Sequence, residues 1–359
     1  MIRNKDAVSR RTIIKVGLGS VAALHAPAIW TSSRAQGRRL VIRDSGGPFA
    51  KAFETAFYKP FKEATGVDIV NVASTAEPTA QIRGMVEAKS YTWDIAGGLT
   101  TAAVKQLASE GLLEKHELEK EAHVNEIPPE YMLPEGVGTN VATTVLGYRK
   151  DKFPEGKEPQ SWADLWNLDA FPGRRGLRKF PIDTLEIAAL ASGVTSDKLY
   201  PIDAERSFKQ LDLLKPKVSV WWTGGAQATQ MLITGEVDML PTWNTRVTAA
   251  AEGGAPIGIM WNQNLWLVDF WAIPKGGPNV ELCREFIKFA SDAKRQAAFA
   301  PFVAAGPANP NAYRYIDSER AKILPTYEKN RAVGIKSDAD FWSVNKDKLT
   351  EAFNSWLLR

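Results

Sequence analysis

The sequence predicts an α/β protein built as two lobes. Short apolar runs alternate with amphipathic segments from residue 38 onward, and two long extended runs bracket a second stretch of the same alternation. The chain, at 359 residues, is also longer than one hydrophobic core ordinarily serves.

The first stretch reads in order. Leu40, Val41 and Ile42 have strand character, and residues 48–64 follow with helical periodicity that stops at Gly66. A strand over 67–72, a helix over 77–89, a strand over 93–96 and a helix over 101–109 complete a βαβαβα series. Such a series predicts a mostly parallel sheet covered by helices, with ligands at the carboxyl ends of its strands. Those ends are Asp44-Ser45-Gly46-Gly47 and Gly97-Gly98-Leu99-Thr100.

An extended run over 140–148 then leads away. The second stretch carries strands at 176–178, 218–220 and 237–240 and helices at 184–192, 203–214 and 226–234. A second extended run over 265–273 leads back, and residues 279–359 are mainly helical, with Pro301, Pro307, Pro310 and Pro325 as breaks. Two crossings predict an inserted lobe. Lobe 1 is expected to take residues 38–144 plus 270–308, and lobe 2 residues 145–269 plus 309–359. With no flexible linker in the pattern, closure of the lobes about a hinge is the expected motion.

Ahead of the lobes, Ser9-Arg10-Arg11-Thr12-Ile13-Ile14-Lys15 precedes an uncharged stretch over 16–33 and then Ser33-Arg34-Ala35. The order charged, apolar, small is that of a twin-arginine export signal over residues 1–35, and it predicts a periplasmic mature protein. Gly17, Gly19 and Pro27 interrupt the apolar part too often for a spanning helix.

Removing the leader changes the charge. The whole chain has 45 Lys and Arg against 41 Asp and Glu, but six basic residues and one acid lie in the first 35. What remains is nearly neutral, which removes the electrostatic ground for a nucleic-acid or anionic-membrane partner. Cys283 is the sole cysteine, so no intrachain disulfide forms. With His116 and His123 the only histidines beyond the leader, clusters of zinc or copper ligands are absent from the sequence, and no cofactor motif is present. A secreted hydrolase or lyase is the competing class, but no G-x-S-x-G elbow, H-E-x-x-H or Walker loop supports it, and Cys283 sits in a helical core pattern. Ferric-ion binding on a similar scaffold would call for adjacent tyrosines, and Tyr313 and Tyr315 are separated by one residue.

Several segments together resemble the periplasmic substrate-binding proteins of ATP-driven importers, in the branch of the spermidine/putrescine binders. They are residues 144–151 (TVLGYRKD), 159–166 (PQSWADLW) and 235–239 (GEVDM), the pair Trp243-Asn244, and residues 269–275 (DFWAIPK). The resemblance implies a two-lobed periplasmic binding protein fold of the type II-like kind, with two mostly parallel or mixed sheets joined by hinge strands. It also implies no enzymatic activity and no cofactor, a small amine-containing ligand held in the interlobe cleft, and delivery by a monomer to the membrane subunits of an ABC permease.

The resemblance implies particular contacts too. Two acids three apart in the second lobe, matched by Asp183 and Glu186, grip one amine, and an acid on the second hinge strand, matched by Asp269, grips another. Trp243 matches an aromatic wall for the ligand's methylenes. The D-x-x-E spacing serves equally as a helix capping box. The family's aromatics in the first and third strand loops are replaced here by Asp44, Ser45, Thr100 and Thr101 among glycines. That replacement points to a smaller or more polar ligand. The glycine-rich helix start at Gly225 and the guanidinium of Arg246 suit a carboxylate. An amino-acid-like zwitterion, such as 4-aminobutyrate or a betaine, is therefore the alternative to a polyamine-like ligand.

Overall fold

A computed structural model of the protein describes residues 38–74 and 78–359. The leader expected over residues 1–35 lies outside them.

Eight longer strands make up the sheet framework: β1 (Arg39–Asp44), β2 (Asp68–Ala73), β3 (Ile95–Thr100), β4 (Gly136–Arg149), β5 (Arg175–Arg178), β6 (Val218–Trp222), β7 (Met239–Trp243) and β8 (Ile257–Ala272). Their hydrogen-bonded order is β2-β1-β3-β8-β4-β7-β5-β6. At one end β2, β1 and β3 run parallel, and at the other β7, β5 and β6 do. β8 and β4 run antiparallel to each other and to their outer neighbours β3 and β7. The two parallel sets of the two-lobed α/β fold are thus joined edge to edge through two strands of 14 and 16 residues.

The β4–β8 ladder changes register midway. Thr144 lies opposite Leu265, yet Leu146 lies opposite Met260, so residues 261–264 are looped out of β8. Gln263 takes a φ of +55° there. The looped residues are held from outside the ladder: the Trp162 indole donates to the Gln263 carbonyl at 2.9 Å, and the Asn264 amide donates to the Asn330 carbonyl at 2.9 Å. This bulge places one ladder with each lobe. It also explains why β8 begins at Ile257 rather than near residue 265. Asn262, Gln263 and Asn264 break the apolar pattern without ending the strand.

Packing follows the same division. One core gathers Leu40, Ile42, Ile95 and Leu99 with Phe53, Phe57, Trp271 and Phe286. Its aromatic rings meet closely, with Phe53 and Trp271 centroids 5.0 Å apart. A second core joins Leu177, Leu185 and Leu211 to Trp342, Phe353 and Trp356 of the Ala339–Leu358 helix. A third holds Val145, Leu240 and Val247. The helix expected over 48–64 forms with a widened turn over Glu54–Tyr58. Pro60 follows that turn after one intervening residue, and its missing N–H cannot close the ordinary i→i−4 bond. Among the described residues no helix is long and apolar enough to cross a membrane.

Candidate ligand site between the lobes

The first wall stands on the carboxyl ends of β1 and β3. Asp44 is fully buried, and its carboxylate is engaged by protein: it accepts from the Gly46 amide at 2.8 Å, from the Tyr58 hydroxyl at 3.1 Å and from the Asn71 amide. It holds the Ser45–Gly47 turn in place. Ser45 lies against Gly98, whose φ is +73°, and a β-carbon at that glycine would stand 2.6 Å from the Ser45 hydroxyl. Thr100 caps the Thr101–Ser109 helix, its hydroxyl accepting from the Ala103 amide at 3.3 Å, and Thr101 is half-buried beside it.

Asp269 sits one strand further in. The ladders align Thr100, Asp269 and Asn140 in one row across β3, β8 and β4. Asn140 donates to the Asp269 carboxylate at 2.9 Å. Burial pushes Asp269 up to about 6, with the Asn140 bond and the Arg43 charge offsetting only part of the rise. The group keeps some solvent contact, so it is an acceptor that is half desolvated and half paired.

The second wall stands on β5, β6 and β7. The Pro181–Ala191 helix is interrupted at its start, where Ile182 has a ψ of 137° and Asp183 a φ of +70°. The two acids beside that break have different hydrogen-bond partners. Asp183 accepts from the Thr144 hydroxyl at 3.0 Å and from the Arg178 guanidinium at 3.2 Å. Glu186 points into the lobe core, where one oxygen accepts from the Tyr200 hydroxyl at 2.8 Å and from the Trp342 indole at 2.6 Å. Its other oxygen has no partner among the described residues. Burial first, and the Asp183 charge second, raise Glu186 well above the usual carboxylate range. The partners of the pair differ: Asp183 is matched by an internal cation, and Glu186 by two core donors.

Beside them, Trp243 forms the centre of the wall. Its ring packs edge-on against Trp222 at 5.7 Å. Two guanidiniums lie against it, Arg178 at 5.0 Å and Arg246 at 6.0 Å from the ring centroid. Arg246 lies across the start of the Gly225–Thr234 helix, because a β-carbon at Gly225 would stand 2.4 Å from the Arg246 Nε. That Nε is buried without a hydrogen-bond partner among the described residues, and burial lowers the Arg246 pKa from its ordinary value. No side chain caps the Gly225–Thr234 helix. The second wall thus presents two cations on Trp243, one of them paired with the Asp183 carboxylate, plus open amide donors, which is an environment for an anion.

The walls meet. The Asn244 amide donates to the Ala304 carbonyl at 2.5 Å, and next to it a cavity of about 60 Å³ is lined by Pro48, Phe49, Arg246, Thr248, Phe302 and Ala304 among others. The Thr248 hydroxyl on its lining is buried without a partner among the described residues, as are the Asn244 Oδ1 and the Thr242 hydroxyl. Asn140, Thr144, Arg178, Trp222 and Asn244 are site residues that the sequence reading did not single out. Arg178 alone carried a usable signal, an arginine at the end of a strand five residues before a buried acid. Among the described residues no group of His, Cys, Asp or Glu is arranged to hold a metal ion.

A cleft between two α/β lobes, with a polar wall on each side and a two-strand connection, defines a solute-binding protein. The chain belongs to the bacterial extracellular solute-binding protein family, whose pattern matches residues 56–326. It is 34% identical over 337 residues to the gamma-aminobutyric acid-binding protein of Pseudomonas aeruginosa, covering 92% of this chain and 94% of that one. It is 25% identical over 260 residues to the spermidine/putrescine-binding periplasmic protein of Escherichia coli, covering 66% of this chain and 70% of that one. Among solved structures, an ABC transporter substrate-binding protein from Bradyrhizobium japonicum superposes with a TM-score of 0.84 at 34% identity, over 89% of this chain and 99% of that one.

Proposed function

We propose that this protein captures a small zwitterion carrying a primary amine and a carboxylate several bonds apart, of the 4-aminobutyrate type, and delivers it to a membrane permease. The observation that carries this reading is the opposite character of the two walls: one half-buried carboxylate, Asp269, on the first, and the guanidiniums of Arg178 and Arg246 against Trp243 on the second. Their rows cross β4 at different residues, Asn140 and Thr144, so the two charged contacts lie on separate rows of the sheet. Such spacing suits separated charges better than an α-amino acid. A diamine would share the Asp269 contact, but its second ammonium would face the two arginines. Similarity to a gamma-aminobutyric acid binder over nearly the whole chain supports the same choice.

In this reading Asp269 takes the amine, Arg246 and the Gly225 helix start take the carboxylate, and Trp243 covers the methylenes. Ser45, Thr100 and Thr101 border the amine end. Asp44, Asp183 and Glu186 hold the walls rather than the ligand. The chain acts as a monomer without chemistry of its own. Its leader directs it by the twin-arginine route to the periplasm, and the two lobes close on each other about β4 and β8. Contacts from both lobes are needed, since a ligand shifts the open–closed balance only by its difference in affinity for the two forms.

A thermal-shift and calorimetric panel of 4-aminobutyrate, α-amino acids, betaines, putrescine and spermidine tests the assignment. A ligand at a thousandfold its Kd adds about 4 kcal/mol of stability. The expected responder is the ω-amino acid, and a protein stabilised only by the diamine or triamine refutes the assignment.

A further inference from the structure

Arg178 occupies an unusual position for a binding-site cation. Its guanidinium lies 4.9 Å from the Phe180 ring centroid, 5.6 Å from Trp222 and 5.0 Å from Trp243, and it donates to the buried Asp183 carboxylate at 3.2 Å. A carboxylate walled by aromatic faces is the chemistry that recognises an organic ammonium or guanidinium. Here the chain's own side chain fills that place. Two features hold the carboxylate in place. Asp183 keeps a strained φ of +70°, and the Thr144 hydroxyl from β4 donates at 3.0 Å to the same oxygen that accepts from Arg178.

We propose that Arg178 is a specificity-determining residue: an internal cation that plugs an acid-and-aromatic pocket, excludes ligand ammonium groups from the second wall, and turns that wall toward carboxylates. Only one of its terminal nitrogens is bonded to Asp183, and no hydrogen bond joins its other donors to the described residues. The side chain is partly exposed, with those donors available to an anion. This proposal rests on the zwitterion reading for what binds, but not for the plug itself. A pocket with Arg178 truncated holds a buried, unpaired carboxylate among three aromatic rings, and such a charge recruits a partner.

The test compares wild type, Arg178→Ala, Arg178→Lys and Arg178→Ala/Asp183→Asn by calorimetry and thermal shift against putrescine, ethylguanidinium and 4-aminobutyrate. Arg178→Ala is expected to gain affinity for the two organic cations by on the order of a hundredfold over wild type. Arg178→Lys is expected to keep them out, and the double variant, with no charge left to pair, to bind neither cation. Should Arg178→Ala fold only with ethylguanidinium present, that requirement is itself the expected rescue. A folded Arg178→Ala that takes up neither cation overturns the plug, as does a wild type that binds both as well as the variant does. Wild-type binding of 4-aminobutyrate is read separately. Its absence alongside cation uptake by Arg178→Ala removes the ligand assignment and leaves the plug standing.

Discussion

Replacing Asp269 by asparagine separates a ligand-binding role from a structural one. The carboxamide oxygen of the Asp269→Asn variant can still accept from the Asn140 amide, which lies 2.9 Å from the native carboxylate, so the hinge row keeps its hydrogen bond. What is lost is the negative charge facing the amine. A hydrogen bond to a charged group contributes about 1.5–3 kcal/mol, and at 1.4 kcal/mol per factor of ten this predicts a Kd weaker by roughly 10- to 150-fold. The pH profile adds a second readout. Because Asp269 is pushed up to about 6, wild-type affinity for an amine should fall about tenfold per pH unit below that value. The ligand's own carboxyl and amine keep their charges from about pH 5 to 8. The variant should show a flat profile. Stability moves the other way. A carboxyl raised in the native state holds its proton more tightly folded than unfolded, so its contribution declines as pH climbs from about 4 to about 6. The neutral variant escapes that decline and should be as stable as wild type or more so at pH 7. Titration calorimetry at pH 5, 6, 7 and 8, with urea unfolding of the ligand-free proteins, measures both. A variant that binds within threefold of wild type and keeps its pH dependence would refute the assignment of Asp269 to the amine.

Other substitutions probe the remaining parts. Trp243→Leu should weaken ligand binding by about tenfold through loss of the aromatic face, with little change in the ligand-free circular dichroism spectrum. Glu186→Gln keeps an acceptor for Tyr200 and Trp342 while removing a carboxyl whose pKa is raised by burial and by Asp183. Wild-type stability should drop as pH rises above the ordinary carboxylate range, because the native state holds that proton more tightly, and urea unfolding of the variant at pH 6 and pH 9 should show a smaller drop. Lys105 pairs with Asp340 at 2.5 Å, linking the Thr101–Ser109 helix to the C-terminal helix. The pair is exposed, so Lys105→Ala should cost under about 1 kcal/mol of stability and raise the ligand off-rate severalfold at most, measured by stopped-flow tryptophan fluorescence. Gly98→Ala meets both a positive φ and the Ser45 hydroxyl at 2.6 Å, and should lower the melting temperature by several degrees.

Much of the architecture was legible because it rests on local patterns. The βαβαβα series, the long β4 and the glycine stop at Gly66 follow from periodicity and backbone preference, and each has its counterpart among the strands and helices. The site was legible as a set of positions and less so as a set of contacts. Asp183 and Glu186 are three apart, a spacing that suggests a shared task, yet the helix is broken at Ile182 and Asp183 and the two acids take different partners. What then decides Glu186 is Trp342, 156 residues away. Asp44 reads as a loop acid at a strand end, yet Tyr58 and Asn71 turn it inward. The arginine plug depends on aromatics from β6, β7 and the turn after β5, which no single segment reveals. Asp269 was readable for the opposite reason, since an acid within an apolar strand is costly without a partner or a task.

Titration of the chain from residue 36 onward with 4-aminobutyrate and, separately, with putrescine tests the two-walled zwitterion site most directly. Saturable one-to-one binding of 4-aminobutyrate and no heat from putrescine is the predicted result. Tight binding of putrescine with none of 4-aminobutyrate would contradict it.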